Sequence, residues 1–223
     1  MFFPEKIKSI KPNDLVLEVG PGSTPYQRSN EFLELDFDSD SKKISQRGGV
    51  LKDPSFGSRK VHHYSGGLFP FDDDTFDYVI CSHVIEHVSD PQLFIAELLR
   101  VSGGRGYIEY PLATYEYLYN FDVHLQLVKY DFTNNTLKYL PKVETSLSEL
   151  SPISDFLRKS LELGWSDLCV ANKIVFFEGF EFYKEFLVEK AKNLDDVLPE
   201  SFLIKRKSFL RRGISYLLDR ANL

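Results

Sequence analysis

The chain has 223 residues, 43% of them hydrophobic and 27% charged, with a formal net charge of −6. That size and composition suit a soluble globular protein with a sizeable core. No apolar run reaches the roughly 18 residues a membrane span needs, and the negative charge disfavours a nucleic-acid partner gripped through its phosphates.

Residues 1–14 read as a lead-in, because Pro4 and Pro12 interrupt any helix. Residues 15–19 form a continuous apolar run apart from Glu18, the pattern of a strand covered on both faces. Gly20 and Gly22 follow, a pair that permits a sharp turn and a close approach to the backbone. A second strand at 33–36 ends in Asp36. The stretch between the two strands is short and holds Pro25, so a truncated or irregular helix is expected there. Residues 38–60 are polar and read as a loop, and residues 61–64 as a third strand, followed by Ser65-Gly66-Gly67. The turn 69–75 leads into a fourth strand at 76–81. Asp90-Pro91 marks a helix start, with the helix running to Val101. Gly103-Gly104 stops it, and a fifth strand at 106–110 ends at Pro111.

Strands alternating with crossovers predict an α/β fold with a mostly parallel sheet flanked by helices. Ligands then bind beyond the carboxyl ends of the strands. The second half is less regular and rich in tyrosine and phenylalanine. Helices are expected at 134–140, 153–163 and 166–177, and a strand at 180–183. The expected organisation is one domain over 1–200, with a core at 15–111 and an elaboration at 112–200. A tail at 201–223 carries six basic residues against the single acid Asp219. Its amphipathic pattern fits packing on the acidic body or peripheral contact with an anionic membrane. Cys81 and Cys169 form neither a metal spacing nor a disulfide framework, and the N-terminus lacks a signal-peptide pattern, so a cytoplasmic setting is expected.

Several of these stretches together resemble the class I methyltransferases that use S-adenosylmethionine. They are Leu17-Glu18-Val19-Gly20-Pro21-Gly22, Asp36, the run 69–79, Ser82-His83-Val84-Ile85-Glu86-His87-Val88 and Gly103-Gly104. The resemblance implies a Rossmann-like fold and S-adenosylmethionine as cofactor. It sets the Gly20–Gly22 backbone, and Ser82, along the cofactor, with Glu18 near the methionine amino group and Asp36 on the ribose hydroxyls. Ser65 falls where many relatives carry an acid for the adenine, which is a departure. The short first crossover is shared with a subgroup encoded among surface-polysaccharide genes. A small-molecule acceptor follows from the branch resembled, and methylation of a sugar or polysaccharide precursor on oxygen from that analogy. A nicotinamide cofactor is the rival ligand, but its fingerprint wants Gly or Ala where Pro25 stands.

Methyl transfer to oxygen needs an oriented acceptor and removal of its proton, for which histidine is suited. His83, His87 and His124 are the candidates, each weighed against a structural role. His83, Glu86 and His87, joined by His124, can also be read as ligands of a divalent metal. A hard cation prefers oxygen where His83 stands, so no metal is expected. The tyrosines at 115–119 read either as an aromatic wall for the acceptor or as core. The alternative from another class is a non-catalytic module that keeps the fold for binding.

Overall fold

The computed structural model describes residues 1–37, 55–147 and 157–199, with Glu162 and Leu163 described in backbone only. The polar segment 38–54, residues 153–156 and the basic tail lie outside the described residues.

A six-stranded sheet forms the centre. In chain order its strands are β1 (Val16–Val19), β2 (Glu31–Leu35), β3 (Lys60–Tyr64), β4 (Tyr78–Ser82), β5 (Arg105–Pro111) and β8 (Phe177–Tyr183). They lie in the order β3-β2-β1-β4-β5-β8. The first five run parallel, and β8 closes the edge antiparallel to β5, with Ile108 opposite Phe180. All four residues of β1 are buried, as an uninterrupted central strand requires.

Helix α1 (Pro91–Ser102) covers one face of the sheet, burying Phe94, Ile95, Leu98 and Val101. Each such side chain contributes about 1.5–3 kcal/mol of hydrophobic stabilisation. The Asp90 carboxylate accepts from Leu93 N at 3.0 Å, and Gly103 ends the helix at φ 58°. That positive φ suits glycine, which carries no Cβ penalty. Arg100 holds the turn before β4 through Glu97, Asp73 and the Phe71 carbonyl. Two of the five histidines are paired on the outer strands: His62 with Glu31 at 2.6 Å and His63 with Asp36 at 3.1 Å.

Three expectations are corrected, the third at the start of β8. Between β1 and β2 there is no helix, only turns. The Glu18 carboxylate orders this short crossover by accepting from Tyr26 N and Ser29 Oγ, both at 2.8 Å. Of residues 134–140, expected as a helix, Asn134 and Asn135 instead form a turn and the rest join a second sheet of β6 (Gln126–Asp131), β7 (Thr136–Pro141) and β9 (Leu187–Lys190), in the order β6-β7-β9. The hairpin turn decides the outcome. Asp131 accepts from Thr133 N and Asn134 N, and Asn135 takes φ 51°, so the chain reverses where a helix would have to begin. Leu127 then faces Leu140, and Tyr130 faces Leu137.

Helix α2 (Ala113–Tyr119) follows β5, and a π-helical turn (Leu161–Trp165) leads into α3 (Ser166–Ala171) and α4 (Lys173–Phe176). Strand β8 therefore starts at Phe177, inside the span expected to be helical and before the strand expected at 180. No helix among the described residues is long and apolar enough to cross a membrane.

Candidate active site

A cavity of about 550 Å³ opens beyond the carboxyl ends of the parallel strands, where such sheets bind ligands. Glu18, Gly20 and Gly22 line one end, Ser82 and His83 the middle, and Glu86, His87 and His124 the other end. One cavity thus brings together seven of the nine residues singled out in the sequence, with Glu86 beside them. Asp36 and Ser65 are exposed and outside the lining. Asp36 sits next to Leu35 and Phe37, which do line it.

The glycine end is shaped by backbone. Gly20 N donates to the Leu33 carbonyl at 2.9 Å, and Gly20 has φ 62°. A Cβ there would meet Val84 Cγ2 at 2.6 Å, so only glycine allows β1 and the loop after β4 to approach this closely. Gly22, at φ 58°, has open space in front of it. A Cβ would project into room that a ligand can use. Glu18 is only 4% exposed. Burial pushes its pKa up to about 7, against the hydrogen bonds from Ser29 and Tyr26.

The histidine end is a network of buried charges. His83 takes φ 58° and packs nearly perpendicular to the stacked Phe2 and Phe177 rings. Its Nε2 lies 3.0 Å from Glu109 Oε1 and its Nδ1 3.5 Å from Glu86 Oε1. Both ring nitrogens therefore face carboxylates. Burial works against a charged His83, yet Glu109 and Glu86 outweigh it and raise its pKa. Glu109 also accepts from Phe2 N, Phe3 N, Tyr107 Oη and Ser82 Oγ. Burial favours its neutral form, but His83 and Tyr107 bring its pKa down to about 2.

Glu86 and His87 lie on a single 3₁₀ turn (Ile85–His87) after β4. The Glu86 carbonyl accepts from Leu125 N at 2.6 Å, which ties this turn to the segment carrying His124. The Glu86 side chain is fully buried, and neither carboxylate oxygen accepts a hydrogen bond among the described residues. Burial would raise its pKa, but the surrounding His83, His87 and His124 hold it below the ordinary value. His87 donates from Nδ1 to the Val123 carbonyl at 3.0 Å, and burial lowers its pKa. His124 pairs through Nδ1 with Glu116, whose other oxygen accepts from Lys142 Nζ at 3.1 Å. The His87 and His124 rings lie 4.6 Å apart, nearly perpendicular.

An aromatic wall stands beside them. Tyr115 is 5.7 Å from Phe121 in a stacked arrangement and 4.9 Å from Phe177, and all three rings line the cavity. Tyr119, by contrast, is buried in the core.

Sequence reasoning missed Glu109 and Glu116, fully buried carboxylates that orient His83 and His124, and Glu34, which lines the cavity two residues before Asp36. Period-two alternation along β2 could have revealed Glu34, since it shares a strand face with Asp36. No local pattern marks Glu109 or Glu116, which meet their histidines only through the fold.

Residues 17–109 match a family described as "Methyltransferase domain". A demethylmenaquinone methyltransferase of Bacillus subtilis (strain 168) is 28% identical over 104 residues, 43% of this chain and 44% of that protein. The chain thus spans less than half the length of this curated relative. Among solved structures, a SAM-dependent methyltransferase from Thermotoga maritima matches at 18% identity and a TM-score of 0.32, covering 48% of each chain. The YcgJ protein from Bacillus subtilis matches at 21% identity and a TM-score of 0.33, covering 50% of this chain and 52% of that one.

Proposed function

We propose that residues 17–109, which match a family described as "Methyltransferase domain", act as a class I methyltransferase domain, and that the chain transfers a methyl group from S-adenosylmethionine to a hydroxyl of a small polar acceptor of the sugar class. The observation that carries this reading is the single cavity joining the glycine loop to the Glu86–His87–His124 cluster.

The residues at the glycine end fit the cofactor. A cavity of about 550 Å³ lies in the range of small-molecule and cofactor sites, about 300–1,000 Å³. The open space before Gly22 admits a ligand against the backbone, and Glu18 offers a buried carboxyl to an ammonium group. Asp36 at the rim is the acceptor for the ribose hydroxyls, exchanging His63 for them. Bound there, the cofactor supplies an electrophilic methyl group on a sulfonium sulfur. The chain's own task is to orient the acceptor and manage its proton. Tyr115, Phe121 and Phe177 give an apolar face against which a sugar ring can pack. His87 and His124 act on the acceptor hydroxyl, while His83, with both nitrogens on carboxylates, positions Glu86.

The test is a methyl-transfer assay with S-adenosylmethionine against a panel of sugars and sugar nucleotides. Transfer to a sugar hydroxyl is expected. Cofactor binding with transfer only to non-sugar acceptors would overturn the acceptor class. Absence of cofactor binding would favour a non-catalytic module.

A further inference from the structure

We propose that Glu86, His87 and His124 form a binding site for a divalent transition-metal ion of borderline softness, of the Zn²⁺ or Co²⁺ type, at the acceptor end of the cavity. One ligand atom from each residue falls within 4.8 Å of the others, and Glu86 Oε1 lies 3.9 Å from His87 Nε2. Zinc bonds to nitrogen and oxygen of about 2.0–2.2 Å put tetrahedral ligands about 3.3 Å apart. Closing the cluster on an ion therefore needs side-chain movements on the order of an ångström.

Three further observations point to an ion. The Glu86 carboxylate is fully buried with no hydrogen bond to either oxygen among the described residues; the His83 ring, 3.5 Å from Oε1, meets it through charge alone and leaves Oε2 without a hydrogen bond, a costly arrangement. His87 donates its Nδ1 proton to the Val123 carbonyl, which leaves the Nε2 lone pair of the neutral ring available. His124 is held in the same sense by Glu116, itself paired with Lys142, and its Nε2 makes no hydrogen bond among the described residues. A ring anchored through one nitrogen, with the other left to the metal, is the usual orientation of metal-binding histidines. Two imidazoles with one carboxylate select a borderline ion over Mg²⁺. This reverses the expectation drawn from the sequence, where His83 was counted as a ligand. In the fold His83 is occupied by Glu109 and Glu86, and the remaining three form the set.

Three protein ligands leave coordination positions for the acceptor, as in catalytic metal sites. An ion held there would lower the pKa of a hydroxyl brought to it, so His87 and His124 would act on that hydroxyl through the ion, with its proton passing to water before the oxygen attacks the methyl carbon. This consequence rests on the methyl-transfer reading, whereas ion binding does not.

The experiment is titration of chelator-treated full-length protein with Co²⁺, followed by its visible absorption, and with Zn²⁺ in competition. One saturable site is expected, with the d–d band of a four- or five-coordinate ion. Glu86→Gln and His124→Ala should each weaken binding at least tenfold, and Glu116→Gln, which alters the support of His124 and the pair with Lys142 but removes no proposed ligand, should also weaken it about tenfold. His63→Ala, at the rim, should leave metal binding unchanged, and circular dichroism checks that every variant folds. No saturable site, or binding unchanged in folded Glu86→Gln and His124→Ala, overturns the proposal. Calorimetry with S-adenosylmethionine on the same metal-free samples separates the two readings. Metal binding without cofactor binding removes the transferase reading alone, and the converse removes the metal alone.

Discussion

The two ends of the cavity are built on different principles. At the glycine end the chain makes room: Gly20 and Gly22 take positive φ, and the buried carboxyl of Glu18 is satisfied by the crossover it orders. At the histidine end the chain concentrates charge, with Glu86, Glu109 and Glu116 fully buried around three imidazoles. A site that must accept a conserved type of ligand along a backbone can be written in a few consecutive residues. A site that must perform chemistry on a particular acceptor has to be assembled from several elements, here the turn after β4, strand β5, helix α2 and the segment before β6.

If this division holds, variants at the two ends should separate binding from turnover. His124→Ala should lower turnover by about 10²–10⁴-fold, the usual range for losing a group that manages the acceptor's proton, with affinity for S-adenosylmethionine within about twofold of the parent. Steady-state assays and calorimetry check this, and full activity would remove His124 from the chemistry. Asp36→Ala should act in the opposite sense, weakening cofactor affinity about 10–100-fold as charged hydrogen bonds to the ribose are lost. Unchanged affinity would pass the ribose role to another group, with Glu34 the first to test.

Two glycine variants sharpen the picture of the binding end. Gly20→Ala should lower the melting temperature, because its Cβ would stand 2.6 Å from Val84 Cγ2 in addition to the positive φ. Gly22→Ala meets no atom within 4 Å and should cost only the left-handed backbone, about 1–2 kcal/mol. It should nevertheless reduce cofactor affinity, since the methyl group projects into the open space. Equal melting temperatures for the two variants would contradict the close approach described for Gly20.

A pH dependence is expected from Glu18. Its folded pKa of about 7 lies above the ordinary 4.5. Below pH 4.5 the group is protonated in both states and costs nothing. Between 4.5 and 7 the unfolded chain releases the proton first, so stability falls as pH rises, by on the order of 3 kcal/mol. Glu18→Gln should flatten that slope in denaturant titrations at a series of pH values. Binding of an ammonium group at Glu18 should also release a proton near neutral pH, seen as a calorimetric heat that depends on the buffer.

The same division explains what could be read from the sequence. Strands β1 to β5, helix α1 and the glycine loop follow from local signals, apolar runs, Asp90-Pro91 and Gly103-Gly104, each acting within a few residues. The second sheet was missed because Thr136-Leu137-Lys138-Tyr139-Leu140 is short, and the decisive turn chemistry lies just before it in Asp131, Asn134 and Asn135. Residues 166–177 were expected as one helix, but their last residue pairs with Pro111 across the sheet, a contact no local window contains. His83, His87 and His124 were visible as residue types. Their division of labour was not, because it depends on Glu109 and Glu116, whose partners lie 26 and 8 residues away in the chain.

The most direct test is calorimetric titration of the purified, chelator-treated protein with S-adenosylmethionine. One saturable site, weakened by Asp36→Ala and retained in His124→Ala, is the predicted result. No binding at millimolar cofactor, or equal losses in both variants, would contradict a cavity divided into a binding end and a chemical end.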